Sequence, residues 1–234
     1  MSLDHMPPIA MFDNRHRLDG LVFLTCDDCH KGTRRADQVA GFLCRVYPDA
    51  KTRSAKLELR KIIRGIRNNA PEIALEWMPS ARQRELAHRA GGAFADGGAG
   101  ALNMGPKTNA LMLRFAARAA LALHYHRCNE IVPMKGGAFV RWYTNESLIT
   151  GNYPDDFASM LPLPQSLQQS TKTQTGQFDY SSNATSEKDV SVHQMTFRLS
   201  LSFQAWVAKD AKVFERVEKL RPENLFRPGF LRRP

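Results

Sequence analysis

Long apolar runs are missing from this chain: no stretch approaches the roughly 20 uncharged apolar residues of a membrane span. Cysteine is scarce. There are four in 234 residues, two of them in one short motif, which argues against a disulfide scaffold and fits a reducing cytoplasm. Asp4 and His5 stand where the apolar core of a secretory signal would be, so no export is expected. HExxH, Walker and nucleophile-elbow motifs are absent, and no repeat of solenoid period recurs. Acidic residues are outnumbered, 23 against 33 Lys and Arg, giving a formal charge of +10 and a pI near 9.7. That excess favours a polyanionic partner such as nucleic acid, although an anionic membrane surface would answer the same charge. With 43% hydrophobic residues the chain is no disordered tail and can bury a core.

The dense chemistry lies between Asp4 and Asp37. Leu21-Val22-Phe23-Leu24 is too short for a helix and reads as a buried strand, bounded by Gly20 and by Cys26-Asp27-Asp28-Cys29-His30. Ala36, Val39, Leu43 and Val46, with Phe42 beside them, recur at helical spacing, and Pro48 follows as a stop. The order is a His-bearing segment, a loop, a strand, a cysteine knuckle and a helix.

That order, with those residues, resembles the HNH endonucleases, whose ββα-metal core is a treble-clef-like hairpin and helix. In that family an Asp-His pair on the first strand precedes a second strand that ends in Cys-x-x-Cys-His at the helix start. The resemblance covers residues 1–48 and implies His5 as general base, with Asp4 and His30 as ligands of a catalytic Mg²⁺, Mn²⁺ or Zn²⁺. It makes Cys26 and Cys29 half of a structural Zn²⁺ site. Two departures stand out. Gly20 occupies the place of the family's Asn, with Asn14 and Asp19 nearby. The family's other Cys-x-x-Cys lies upstream of the Asp-His pair, and the expectation is that it precedes Met1. The implied activity is metal-dependent hydrolysis of phosphodiester bonds, in double-stranded DNA first. The alternative is a catalytically inactive zinc-finger-like module that binds DNA or a partner.

The chemistry is coherent. An imidazole has the pKa and reach to deprotonate water near neutral pH, and a hard divalent ion can neutralise charge on the scissile phosphate. Adjacent strand residues point to opposite faces, so Asp4 and His5 serve one phosphate only from different sides or from a twisted or bulged strand end. Other readings of the knuckle are c-type haem attachment, a thioredoxin-like redox pair, and an ordinary surface turn. The first wants an exported protein, and Asp27 and Asp28 disfavour the thiolate of the second.

Behind this front the pattern is that of an α+β protein: residues 49–130 helical, with a Gly-rich loop at 91–100, and residues 131–234 an α+β region with antiparallel strands. Arg53 to Arg67 reads as a helix with Leu59, Ile62, Ile63 and Ile66 buried. Arg53, Lys56, Arg60, Arg64 and Arg67 fall on or near its other face and, with Lys31, Arg34 and Arg35, are the candidate contacts to a phosphate backbone. A further helix is expected from Ser80 to Ala90, carrying a lone His88, and an Ala-rich central helix from Pro106 to about Arg127. Ala138 to Tyr143 reads as a strand and 162–176 as a polar loop. The alternation of Met195, Phe197, Leu199, Leu201, Phe203 and Ala205 predicts one strand with a buried face, partnered by Phe178 and Tyr180.

Overall fold

The computed structural model describes residues 2–13, 21–46, 52–78, 104–145, 147, 157, 159–166, 168–169, 172–173, 176–215 and 221–230. The expected Ser80 helix, His88, the 91–100 loop, Asn14, Asp19, Gly20 and Pro48 lie outside them. The chain is an α+β protein. Strand β1 (Ser2–His5) pairs antiparallel with β2 (Val22–Thr25), and helix α1 (Asp27–Leu43) follows at once. Helices α2 (Arg53–Asn69) and α3 (Pro71–Glu76) lead to the long helix α4 (Pro106–Cys128).

Then come β3 (Gly137–Thr144), β4 (Gln165–Ser166), β5 (Gln168–Gln169), β6 (Lys172–Thr173), β7 (Asp179–Ala184), β8 (Val190–Phe197) and β9 (Leu201–Ala208). A short helix α5 (Lys212–Glu215) and β10 (Leu225–Phe226) complete the described elements. Six strands form an antiparallel sheet in the order β10-β3-β9-β8-β7-β4, while β5 and β6 make a separate small ribbon.

Helix α4 lies on one face of this sheet. Phe115 packs against Phe203 at 5.4 Å and Phe197 at 6.1 Å between ring centroids. A single cluster of buried apolar side chains runs from Met6 and Leu21 through Val39 and Met112 to Val140, Phe178 and Val207. Burying a large side chain of this kind is worth about 1.5–3 kcal/mol. No helix among the described residues is long and apolar enough to cross a membrane.

The N-terminus of α4 shows how the helical layer is tied. Its N-cap is Gly105, which has no side chain to satisfy the first N–H groups. Glu76, at the end of α3, supplies the missing acceptors: its carboxylate takes the N–H groups of Lys107 and Thr108, both at 2.8 Å. Trp77 donates to the Thr108 hydroxyl at 2.8 Å and stacks on Phe42 of α1 at 4.7 Å. Three helices therefore meet at one turn.

The structure corrects three readings. The Leu21–Leu24 run is a strand, but not a buried one: Val22 and Leu24 are exposed, because a two-stranded hairpin has only one covered face. The alternating run from Met195 to Ala205 is two strands, not one. The chain reverses through Arg198-Leu199-Ser200, Phe197 pairs with Leu201 and Met195 with Phe203, and Leu199 is 63% exposed at the tip. Arg198 takes the left-handed conformation, φ 54°, of a three-residue hairpin loop. The polar stretch 162–176 contains the short strands β4, β5 and β6 rather than loop alone.

Candidate functional site

The hairpin sets which way each residue of the Asp-His pair faces. Its register is regular, with Leu3 opposite Leu24, Asp4 opposite Phe23 and His5 opposite Val22. Directly opposed residues share a face and neighbours along a strand do not. Asp4 and Phe23 therefore face inward, where Phe23 meets Tyr125 of α4 edge-on at 5.8 Å. His5 shares the outer face with Leu3, Val22 and Leu24, all exposed, and is itself partly buried. No bulge intervenes in the ladder, so Asp4 and His5 face different sides of the hairpin.

Asp4 is held by a charge from the central helix. Arg118 extends from α4, only 9% exposed, with its Nη2 2.8 Å from Asp37 Oδ1 of α1 and its Nε 3.6 Å from Asp4 Oδ2. The same Nε stands 3.1 Å from Met6 Sδ. Two carboxylates from two elements share one guanidinium. Burial raises the Asp37 pKa above the ordinary carboxylate value, against the pull of Arg118.

The knuckle forms the start of α1. Cys26 is its N-cap, and its sulfur accepts the N–H of Cys29 at 3.3 Å, while the N–H of His30 reaches the Cys26 carbonyl at 3.0 Å. Asp27 and Asp28 occupy the first turn, where negative charge suits the helix dipole. Hydrogen bonding from Cys29 lowers the Cys26 thiol pKa. A thiol so placed is a ready metal ligand. Cys26 is exposed, Cys29 and His30 are partly buried, and no disulfide joins any of the four cysteines.

As a donor set the two thiols fit half of a tetrahedral zinc site. Among the described residues no group of three or more His, Cys, Asp and Glu side chains is gathered at ligand spacing.

The eight basic candidates are all exposed, on two helices that pack side by side. At 100° and 1.5 Å per residue, Arg53, Lys56, Arg60, Arg64 and Arg67 fall within about 80° of arc along about 21 Å of α2. Lys31, Arg34 and Arg35 extend this surface over α1, where Arg35 pairs with Glu72 at 3.3 Å.

A second polar chain lies buried between α4 and the sheet. His124 Nδ1 is 2.8 Å from the Ser191 hydroxyl, Ser191 is 2.7 Å from His193 Nε2, and His193 Nδ1 is 2.8 Å from the Ser182 hydroxyl. Both histidines are fully buried. Burial pushes the His193 pKa down to about 3 and lowers that of His124. His124 and His126 diverge as their i, i+2 spacing requires: His126 is exposed and lies edge-on to Tyr180 at 6.2 Å.

Neither Arg118 nor the His124–His193 chain was singled out from the sequence. Arg118 carried a signal, since it interrupts Ala116-Ala117 and Ala119-Ala120, and a charge among small apolar residues on a packed helix needs a partner. The histidine chain is joined by tertiary packing alone. No family model, no curated protein and no solved structure matches this chain.

Proposed function

We propose that this chain is an HNH-like, metal-dependent endonuclease that hydrolyses phosphodiester bonds in double-stranded DNA within a reducing cytoplasm. The observation that carries the reading is a hairpin running directly into a helix, with Asp4-His5 on the first strand and Cys26-x-x-Cys29-His30 at the junction. His5, on the solvent side of the hairpin, takes the proton of the attacking water. A divalent ion bound through Asp4 and His30 would neutralise charge on the scissile phosphate and the departing oxygen. Cys26 and Cys29 would hold one half of a structural zinc, which would fix the knuckle. The basic stripe of α2, with Lys31, Arg34 and Arg35, tracks the backbone of the duplex.

A second reading, a catalytically inactive DNA-binding module, draws on two observations: Asp4 is paired with Arg118, and Asp4 and His5 face opposite sides. One experiment separates the two. Plasmid DNA is incubated with the protein and Mg²⁺ or Mn²⁺, and the His5→Ala and Arg60→Glu/Arg64→Glu variants are compared for cutting and binding. The nuclease reading expects cutting that His5→Ala abolishes with binding intact, and binding that the charge reversals weaken steeply as salt rises. Binding without cutting, equal in wild type and His5→Ala, would leave the module in its place.

A further inference from the structure

Beside β3, past the two residues where β10 covers its edge, the surface opens into a cleft of about 380 Å³ on the far side of α4 from the hairpin. Such a volume suits a small ligand. The edge position lets the cleft draw side chains from both faces of the sheet. Trp142 comes from the α4 side, fixed by donating to Asn109 Oδ1 of α4 at 2.7 Å. Arg141 and Tyr143 come from the other side. The Tyr143 hydroxyl donates to the buried Gln204 at 3.2 Å, and the Arg141 guanidinium lies over the rings of Phe139 and Trp206, 5.4 and 5.7 Å from their centroids. These contacts hold the rings and the guanidinium in place before any ligand arrives, which spares the ordering cost of binding.

Arg221 and Glu223, on the turn before β10, complete the wall and are exposed. Neither Arg141 nor Arg221 has a carboxylate partner among the described residues, although Glu223 lines the same cleft. Two guanidiniums without a carboxylate are suited to a phosphate, whose oxygens they can take in paired hydrogen bonds. Indole and phenol rings beside them offer faces for a planar base. A carboxylate in the same wall can accept from an exocyclic amino group, as it does from cytosine N4.

We propose that this cleft is a nucleotide site: it takes one nucleoside phosphate whose base carries an exocyclic amino group, with Arg141 and Arg221 on the phosphate and Glu223 on the amino group. The ligand can be a free mononucleotide or one unpaired nucleotide of a strand. The inference does not rest on the nuclease reading, since the cleft and the hairpin contact opposite sides of α4.

The test follows the tryptophan fluorescence of the intact protein, Trp142 lying in the cleft, during titration with dCMP, dTMP, a single-stranded oligo-dC about eight nucleotides long, and the corresponding duplex. Binding of dCMP identifies the free nucleotide as ligand, and binding of oligo-dC alone identifies the strand. In either case Arg221→Gln, an exposed change that spares the fold, weakens binding about tenfold, as the loss of one charge-assisted contact does. Glu223→Gln narrows the preference for dCMP over dTMP, and His5→Ala changes neither. Failure of both dCMP and oligo-dC to bind overturns the proposal, as does binding that Arg221→Gln and Arg141→Gln leave unchanged.

Discussion

The front of this molecule and its body are held by different forces. In the body, α4 and the six-stranded sheet exclude water from a continuous set of aromatic and aliphatic side chains, among them Phe115, Phe178, Phe197 and Phe203, each at most 1% exposed. At the front, the β1–β2 hairpin leaves Leu3 and Leu24 more than half exposed and is fastened inward by Phe23 on Tyr125 and Asp4 on Arg118. The candidate residues Asp4, His5, Cys26, Cys29 and His30 are all less deeply buried than these core side chains. An accessible site and a buried core ask opposite things of one chain, and here a few specific contacts bridge them.

Arg118 is the strongest of these bridges, and removing it should have the largest effect. Arg118→Met leaves Asp4 and Asp37, both partly buried, beside each other without a counter-charge, and unfolding in urea should show a loss of about 3 kcal/mol, the low end for a broken buried pair. The triple variant with Asp4→Asn and Asp37→Asn should recover much of it. A loss below about 1 kcal/mol would mean that the hairpin is fastened chiefly by Phe23.

Acid attacks the body instead. Unfolded, His193 binds a proton below its ordinary pKa of about 6.5; folded, it stays neutral down to about 3. The unfolded state therefore binds more protons throughout that window, and stability falls as pH drops from about 6.5 toward 3, by up to about 1.4 kcal/mol per unit for this one group. Asp37 works the other way, because a raised carboxylate pKa favours the folded state as pH falls through it. Thermal unfolding in Asp37→Asn at stepped pH should thus show a steeper acid loss than wild type, and His193→Gln a shallower one.

Smaller changes sharpen the contrast. Glu76→Ala removes both acceptors at the start of α4 and should cost about 1 kcal/mol, within the range of lost helix caps. Leu24→Ala, on the open face of the hairpin, should cost less than about 0.5 kcal/mol, measured in the same urea series. A larger loss at Leu24 would mean that the outer face is covered in solution.

What could be read in the sequence follows the same divide. Helices α1 and α2 were legible because their apolar residues recur at helical spacing, and α4 from its Ala-rich run opening at Pro106, whereas the six-residue α3 was not expected. The knuckle was legible because its residues are adjacent. The β8–β9 hairpin was not, for a geometric reason: a three-residue loop returns the chain on the same parity, so Met195, Phe197, Leu201 and Phe203 keep their alternation through the reversal. Arg198-Leu199-Ser200 has no Gly, Pro or Asn to mark the turn, and Leu199 extends the apolar rhythm while pointing at water. Exposure of Val22 and Leu24 was equally hidden, since an apolar run does not say how many faces will be covered. The pairing of Asp4 with Arg118 joins residues 114 positions apart, and only the packing of α4 against the hairpin brings them together.

The chain of His124, Ser191, His193 and Ser182 has a direction. The Ser191 hydroxyl carries one proton and lies between two imidazole nitrogens, so it donates to one ring and accepts from the other. If it donates to His193, both neutral rings carry their proton on Nδ1; if it donates to His124, both carry it on Nε2. The two tautomers are therefore locked together across the helix–sheet boundary. Nitrogen-15 shifts of the two rings should report one shared tautomer and should become independent of each other in Ser191→Ala.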